Sequence, residues 1–252
     1  MDYTLVIPSH RRSEMLGKKT LRFLRETGAP KPKIYVADET DLTAYRNLYP
    51  DHEILLAPKG ISATRNFIQD THPLGHKIVF IDDDIEMVYR LDPENKEKNK
   101  KIKVTNFDAL IAEAFRCAER AGTTWWGTYP IDNVLCMKPQ IRRNLCYVNG
   151  SLFGVINSRV SVSLDLAEDY ERSIKYWNKE GRLCRLEFIG LLTKYYKNPG
   201  GLQEKRTDAL NTEDKFKLVE QYPHLCKLIK RKGVWDEISF KRFPSNMLEM
   251  ER

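Results

Sequence analysis

The sequence predicts an α/β fold, a doubly wound, mostly parallel central sheet with helices on both faces, and three observations carry that expectation. The first four strand-like runs are near-continuously apolar rather than alternating, as strands covered on both faces of a parallel sheet must be. Helical segments separate them in β-α-β-α order, which places ligands outside the carboxyl ends of the strands. The 252 residues, 41% hydrophobic and 31% charged, suit one large domain or two small ones and supply enough apolar side chains for a sizeable core, which excludes wholesale disorder.

Thr4-Leu5-Val6-Ile7 is the first strand, stopped by Pro8. Ser13 is the expected cap of a helix that buries Leu16, Thr20, Phe23 and Leu24, with Gly28 and Pro30 ending it. Ile34-Tyr35-Val36-Ala37 is the second strand, 41–49 a short helix and Ile54-Leu55-Leu56-Ala57 the third strand. A helix over 62–70 leads into the fourth strand, Lys77 to Ile81. Asp92 to Lys101 is a polar, lysine-rich loop. The clearest helix follows: Thr105 and Asp108 resemble a capping box, Phe107, Leu110, Ile111, Ala114, Phe115 and Ala118 form one face, and Gly122 ends it. Strand-like runs occupy 124–129 and 147–156, and a helix over 166–180 turns Tyr170, Ile174 and Trp177 inward. The apolar run 183–196 is extended, Asn198-Pro199-Gly200-Gly201 is a turn, and Thr212 opens a last helix broken at Pro223. There are no internal repeats. The expected organisation is a single domain over 1–252, with halves at 1–90 and 104–252 joined by the lysine-rich loop.

Lys and Arg number 42 against 35 Asp and Glu, a formal charge of +7. The basic surplus favours a phosphate-bearing partner, whether nucleotide, nucleic acid or anionic membrane. No run approaches the roughly 18 apolar residues of a membrane span. No basic stretch and apolar segment precede the first strand, so no secretory signal is expected. The five cysteines form no C-x-x-C pair and read as reduced thiols of a cytosolic protein.

Six constellations bear on chemistry. Asp82, Asp83 and Asp84 follow the fourth strand, and consecutive carboxylates there are costly unless something neutralises them. A hard divalent cation does so through carboxylate, water and phosphate oxygens, and strand alternation would put Asp82 and Asp84 on one side. The bland alternative is an acidic turn in solvent. Gly60 opens a helix carrying Thr64-Arg65-Asn66, so that free helix N–H groups and the Arg65 fork could meet phosphate or the metal carboxylates. Pro8-Ser9-His10-Arg11 ends the first strand with small and basic groups, and Asp38 ends the second, where it could accept from a uracil or ribose donor. Glu168 and Asp169 begin a helix, where acidic residues are favoured by the dipole alone but a carboxylate can also act as a base. Asp165 is the expected cap of that helix. Trp125-Trp126-Gly127 and Tyr147 to Ser151 read either as sheet core with a Gly bulge or as an aromatic-lined acceptor pocket. The late loop Asn198 to Arg206 is glycine-hinged and basic, as loops that close over a diphosphate are.

Asp82-x-Asp84 resembles the D-x-D element of nucleotide-sugar transferases, and Gly60-x-x-x-Thr64-Arg65-Asn66 resembles the G-x-x-x-A-R-N element of GT-A glycosyltransferases, with Thr in place of Ala. Pro8-Ser9-x-Arg11, Gly60-Ile61-Ser62, the Asp triplet, Glu168-Asp169-Tyr170-Glu171-Arg172-Ser173 and Gly200-Gly201-Leu202-Gln203-x-x-Arg206, followed by Tyr222-Pro223, together are similar to the TET/JBP-associated glycosyltransferases of phages, relatives of the kinetoplastid base J glucosyltransferase. That resemblance covers about residues 3–230. It implies a GT-A-like fold with 1–90 binding the nucleotide sugar through Pro8, Ser9, Arg11, Asp38, Gly60, Arg65, Asp82, Asp83 and Arg206. It further implies Mn²⁺ or Mg²⁺ on Asp82 and Asp84, Asp169 as base ahead of Glu168, and a UDP-sugar donor. The acceptor it implies is a 5-hydroxymethylpyrimidine in DNA, in the host cytoplasm if the chain is phage-encoded. The lysine clusters Lys96, Lys98, Lys100, Lys101, Lys103 and Lys227, Lys230, Arg231, Lys232 could track a phosphate backbone. The alternative is a GT-A transferase acting on a saccharide or lipid carrier. A nucleotidyltransferase would carry a Gly-rich loop after the first strand, where this chain has Ser9 to Ser13. A non-catalytic nucleic-acid-binding module would not need the Asp triplet. No membrane and no obligate protein partner are expected.

Overall fold

The computed structural model describes residues 2–94, 100–193, 208–229, 237–242 and 247–249. β1 (Thr4–Pro8), β2 (Lys33–Val36), β3 (Ile54–Leu56) and β4 (Lys77–Ile81) form a parallel block in the order β3-β2-β1-β4. Within the block, the chain leaves β1 toward β2 on one side and returns to β4 on the other. The crevice at the carboxyl ends of β1 and β4 is therefore the place where an open α/β sheet takes its ligand.

The remaining strands extend this block into an 11-stranded mixed sheet. They are β5 (Met87–Leu91), β6 (Lys101–Lys103), β7 (Trp125–Tyr129), β8 (Gln140–Arg142), β9 (Leu152–Ile156), β10 (Arg185–Leu192) and β13 (Met247–Glu249). β9 joins antiparallel to β4, pairing Phe153 with Phe80. β11 (Cys226–Ile229) and β12 (Glu237–Phe240) form a separate antiparallel pair. The helices are α1 (Ser13–Leu16) and α2 (Arg22–Glu26), joined by a π-helical turn at Gly17–Leu21, then α3 (Glu39–Leu48), α4 (Ile61–Asp70), α5 (Phe107–Ala121), α6 (Glu168–Glu180) and α7 (Asp208–Gln221). A side chain at Gly17 would collide with the Tyr49 hydroxyl, so the π turn and α3 meet at close range.

Alternation along the strands feeds two cores. Leu5, Ile7, Val79 and Ile81 bury against residues of α1, α2, α3 and α5; Val6, Ile78 and Phe80 bury with those of α4, α6, α7 and the β11–β12 pair. Strands buried on both faces must be apolar throughout, which is why the sequence shows runs rather than alternation.

Several local expectations change. Ser13 makes no capping bond, and α1 starts after Arg12. α3 begins two residues early because the Asp38 carboxylate accepts from the Asp41 N–H at 2.9 Å. Asn106, not Thr105, caps α5 through the Ala109 N–H, while Gly122 ends it in the left-handed region at φ 73° as expected. Residues 147–151 are a loop rather than strand, and only Leu152–Ile156 pairs. On α6 the buried face carries Glu168, Glu171, Arg172, Ser173, Ile174 and Tyr176, whereas Tyr170 and Trp177 are half-buried. That is a charged buried face, which apolar periodicity does not find. α7 starts at Asp208, ahead of Thr212. Trp125 and Trp126 are 1% and 0% exposed, so they are sheet core and not pocket wall. Arg206, Lys96, Lys98, Lys230, Arg231, Lys232 and the Asn198 to Gly201 turn lie outside the described residues.

Candidate active site

β4 ends at Ile81, and Asp82, Asp83 and Asp84 turn away from it into the crevice. They lie in a turn and not on the strand, so alternation is not what disposes Asp82 and Asp84. Tertiary partners do that. The Asp82 carboxylate accepts from Arg65 Nη2 at 2.9 Å. Asp83 accepts from Ser9 Oγ at 2.6 Å and from Arg12 Nη1 at 3.0 Å, and Asp84 lies 3.7 Å from the same guanidinium nitrogen. Side-chain exposures of 31%, 6% and 16% along the triplet rule out a solvated acidic turn. Thr20 locks the turn, donating to the Asp82 carbonyl at 2.7 Å and accepting from the Ile85 N–H at 2.9 Å.

Burial, reinforced by the neighbouring carboxylates, lifts the Asp82 carboxyl to about 7 and that of Asp83 to about 6, although Arg65 and Arg12 pull the other way. Within the triplet and its two arginines, carboxylates outnumber guanidiniums. An all-oxygen donor set with surplus negative charge fits a hard divalent cation, and Asp82 and Asp84 are the members that would hold it because Asp83 already accepts two hydrogen bonds.

The first strand end is organised around Asp83 and Asp41. Tyr45 OH lies 2.6 Å from Ser9 Oγ and accepts from the Arg12 N–H at 3.0 Å. Arg11 takes a left-handed backbone at φ 53°, its N–H donating to Asp41 and its side chain exposed. His10 Nδ1 lies 2.7 Å from Asp41. His10, Asp38 and Asp41 bring one ligand atom each to within 4.8 Å of one another, the one such trio found among the described residues. Its carboxylates already accept from the Arg11 and Asp41 N–H groups, so the trio caps α3 and braces the loop after β1.

Arg65 is the hub of the site. It is 3% exposed and reaches Asp82, the Gly150 carbonyl at 2.8 Å and, through Nη1, Glu168, with Asp169 at 3.9 Å. Its guanidinium lies 5.2 Å from the Phe153 ring centroid, and burial lowers its pKa to about 10. Arg172 packs over the same ring at 4.5 Å and holds the other Glu168 oxygen at 2.5 Å. Glu168 is thus closed between two buried guanidiniums. Asp169 is different: 24% of its side chain is exposed, and Tyr147 OH donates to its Oδ2 at 2.8 Å. At Gly150 a β-carbon would lie 2.5 Å from Arg65, 2.6 Å from Asp169 and 2.8 Å from Glu168, so the three groups converge over a bare backbone.

Two expected roles change. Asp165 does not cap α6. It accepts from the Ser62 N–H at 3.0 Å and so caps α4 from across the fold, against Gly60 at φ 109° where a side chain would strike its carboxylate. The α4 N-terminus is therefore partly filled by a carboxylate and is not a free phosphate cradle. Asp38 serves first as a helix cap. The structure brings together Ser9, Arg65, Asp82, Asp83, Asp84, Glu168 and Asp169; Arg11 stays exposed at the rim. Arg12 and Arg172 were absent from the expected site, whereas Tyr147 and Gly150 belong to the stretch read as a possible acceptor pocket. Arg172 was detectable as the i+4 partner of Glu168, whereas Arg12 reaches Asp83 from a loop 71 residues away.

A family model described as TET-Associated Glycosyltransferase matches residues 3–201. The fold is similar to that of glucosyl-3-phosphoglycerate synthase from Mycobacterium tuberculosis. In complex with phosphoglyceric acid that structure gives a TM-score of 0.52 at 10% identity, over 90% of this chain and 83% of that one. In complex with Mn²⁺, UDP-glucose and phosphoglyceric acid it gives 0.50 at 8% identity, over 94% and 86%. No curated protein matches the chain. No helix of the described residues is long and apolar enough to cross a membrane.

Proposed function

The chain belongs to the TET-associated glycosyltransferase family, and on that premise we propose that this GT-A glycosyltransferase moves a sugar from a UDP-sugar to the hydroxymethyl group of a 5-hydroxymethylpyrimidine in DNA. The observation that carries the reading is the Arg65 hub. It links the Asp82 carboxylate, on the donor side, to the Glu168-Asp169 helix start, where one carboxylate is closed off and the other is open.

Asp82 and Asp84 would hold a divalent cation, Mn²⁺ or Mg²⁺, which when bound neutralises charge on the donor diphosphate and on the departing UDP. The fold relative with Mn²⁺ and UDP-glucose bound supports that donor class. Ser9 and Arg12 fix Asp83 and so hold the turn that presents its two neighbours. Residues up to about 90 take the nucleotide sugar, with Pro8, Arg11, Asp38, Gly60 and Arg206 at its expected margins, and residues from 104 onward take the acceptor.

Asp169 is the base. Its exposed carboxylate, oriented by Tyr147, receives the proton of the acceptor hydroxyl as that oxygen bonds to the anomeric carbon and the bond to the UDP oxygen breaks. Glu168 orients Arg65 and Arg172 and takes no proton. A hydroxymethyl group on a stacked base cannot reach this crevice, so the target base leaves the helix.

The test is transfer of radiolabelled sugar from UDP-sugar to DNA with and without 5-hydroxymethylpyrimidine. Label on the modified DNA alone is expected. Label on simple saccharides and on neither DNA would replace this reading with the saccharide-acceptor one.

A further inference from the structure

Beside Asp169 the structure carries a row of aromatic rings. Tyr147, whose hydroxyl holds Asp169, lies 4.6 Å from Tyr170 between ring centroids, and Tyr170 lies 5.7 Å from Phe240. All three rings are half-buried, so solvent reaches each of them. Phe240 ends β12, in the β11–β12 pair that lies beyond the family match at residue 201. The pair is anchored by Cys226 and Ile238, which bury into the core shared with α6. Exposed cations adjoin the row in the chain: Lys241 and Arg242 directly follow Phe240, whereas Lys227, opposite Ser239, lies on the other face of the pair from Phe240.

We propose that Tyr147, Tyr170 and Phe240, with Lys241 and Arg242, form a platform for unpaired DNA, on which the extrahelical target base stacks next to Asp169 while its backbone runs over the cations. This rests on the acceptor reading above and names the surface that reading lacks. Each half of the recognition has a physical source. Aromatic faces accept any base by stacking, and cations along the strand neutralise phosphates. Their junction at Phe240, one ring from the residue that orients the base, puts a stacked nucleotide within reach of Asp169. Trp125 and Trp126, the aromatic pair most conspicuous in the sequence, cannot take this role because they are fully buried.

The two halves separate experimentally. The probe is a fluorescein-labelled single strand of roughly 16 nucleotides carrying one central 5-hydroxymethylcytosine, followed by anisotropy across a salt series. Phe240→Leu should weaken binding about tenfold at every salt concentration and leave the log–log salt slope unchanged, because stacking releases no counterions. Lys241→Gln with Arg242→Gln should flatten that slope by roughly 0.7 for each cation removed. Phe240→Tyr keeps the ring and should bind as wild type, which separates stacking from damage to the fold. UDP affinity with Mn²⁺, measured by calorimetry, should be the same in all of them. Wild-type-like DNA affinity in Phe240→Leu, or an unchanged slope in the double variant, overturns the platform. Weakening as described, in a protein that transfers no sugar to DNA, keeps the platform and overturns the acceptor reading instead.

Discussion

Glu168 and Asp169 are adjacent in the chain and meet different surroundings. Glu168 is clamped by two guanidiniums that are themselves 3% and 2% exposed, whereas Asp169 keeps an open edge beside Tyr147. Replacing them should therefore damage different properties. Asp169→Asn should bind UDP as wild type and lose nearly all transfer, because only the proton acceptor is gone; single-turnover transfer beside calorimetry reads both. Glu168→Gln should cost about 3–5 kcal/mol of stability, since it removes the charge shared by two buried guanidiniums. A fall in the denaturation midpoint reads that loss. Asp169→Asn with full activity would move the base elsewhere.

The Asp82-Asp83-Asp84 turn and the start of α4 are elements fixed from outside themselves. In α4 the cap comes from Asp165, about a hundred residues away, through the Ser62 N–H. Asp165→Ala should destabilise by about 1 kcal/mol, as loss of a helix cap does, and amide exchange should rise first in Ser62 and Ala63. Uniform exchange across α4 would show that the contact does no capping.

The acidic turn makes a prediction in pH. In the metal-free protein Asp82 titrates at about 7, above its unfolded value near 3.8. An acid raised on folding contributes stability that is complete below the unfolded value and lost as pH rises through the folded one. Asp82→Asn lacks that titration, so the variant should gain relative to wild type as pH rises from about 4 to about 7, between the unfolded and folded values, and keep a constant difference above that. Mn²⁺ should stabilise wild type at pH 8 and leave Asp82→Asn little changed. Thermal melts at fixed ionic strength test both, and a pH-independent gap would contradict a carboxyl raised by burial and neighbouring carboxylates.

At the scale of the whole molecule, the parallel block and the second half meet at one crevice, and Arg65 spans it. Donor binding should then depend on the cation without depending on DNA. Calorimetry should find UDP bound tightly with Mn²⁺ and weakly with chelator, because the carboxylates otherwise repel the diphosphate. Asp84→Ala should remove that difference while preserving the fold, since it deletes a side chain outside both cores. Equal UDP affinity with and without metal would sink the cation bridge. Lys101 is tied to Asp132 and packs over the Tyr89 ring at 4.2 Å, so it braces β6 rather than standing free for phosphate.

The sequence by itself determined the parallel block, the order of its helices, and the positions of the Asp triplet, Arg65 and the Glu168-Asp169 pair. Burial on both faces forces apolar runs, and charged residues at strand and helix ends stand out against them. Only the tertiary structure decided which group each of these residues faces. Apolar periodicity could not show the charged inner face of α6, because Glu168 and Arg172 are buried as an ion pair and not as hydrophobes. Spacing could not assign Asp165 to α4, since the two are 103 residues apart. Nor could it separate Trp125 and Trp126, sealed between the sheet and its helices, from Tyr147 beside the open carboxylate. Contacts between distant segments depend on how the sheet is wound, and that is fixed by the packing of the whole chain.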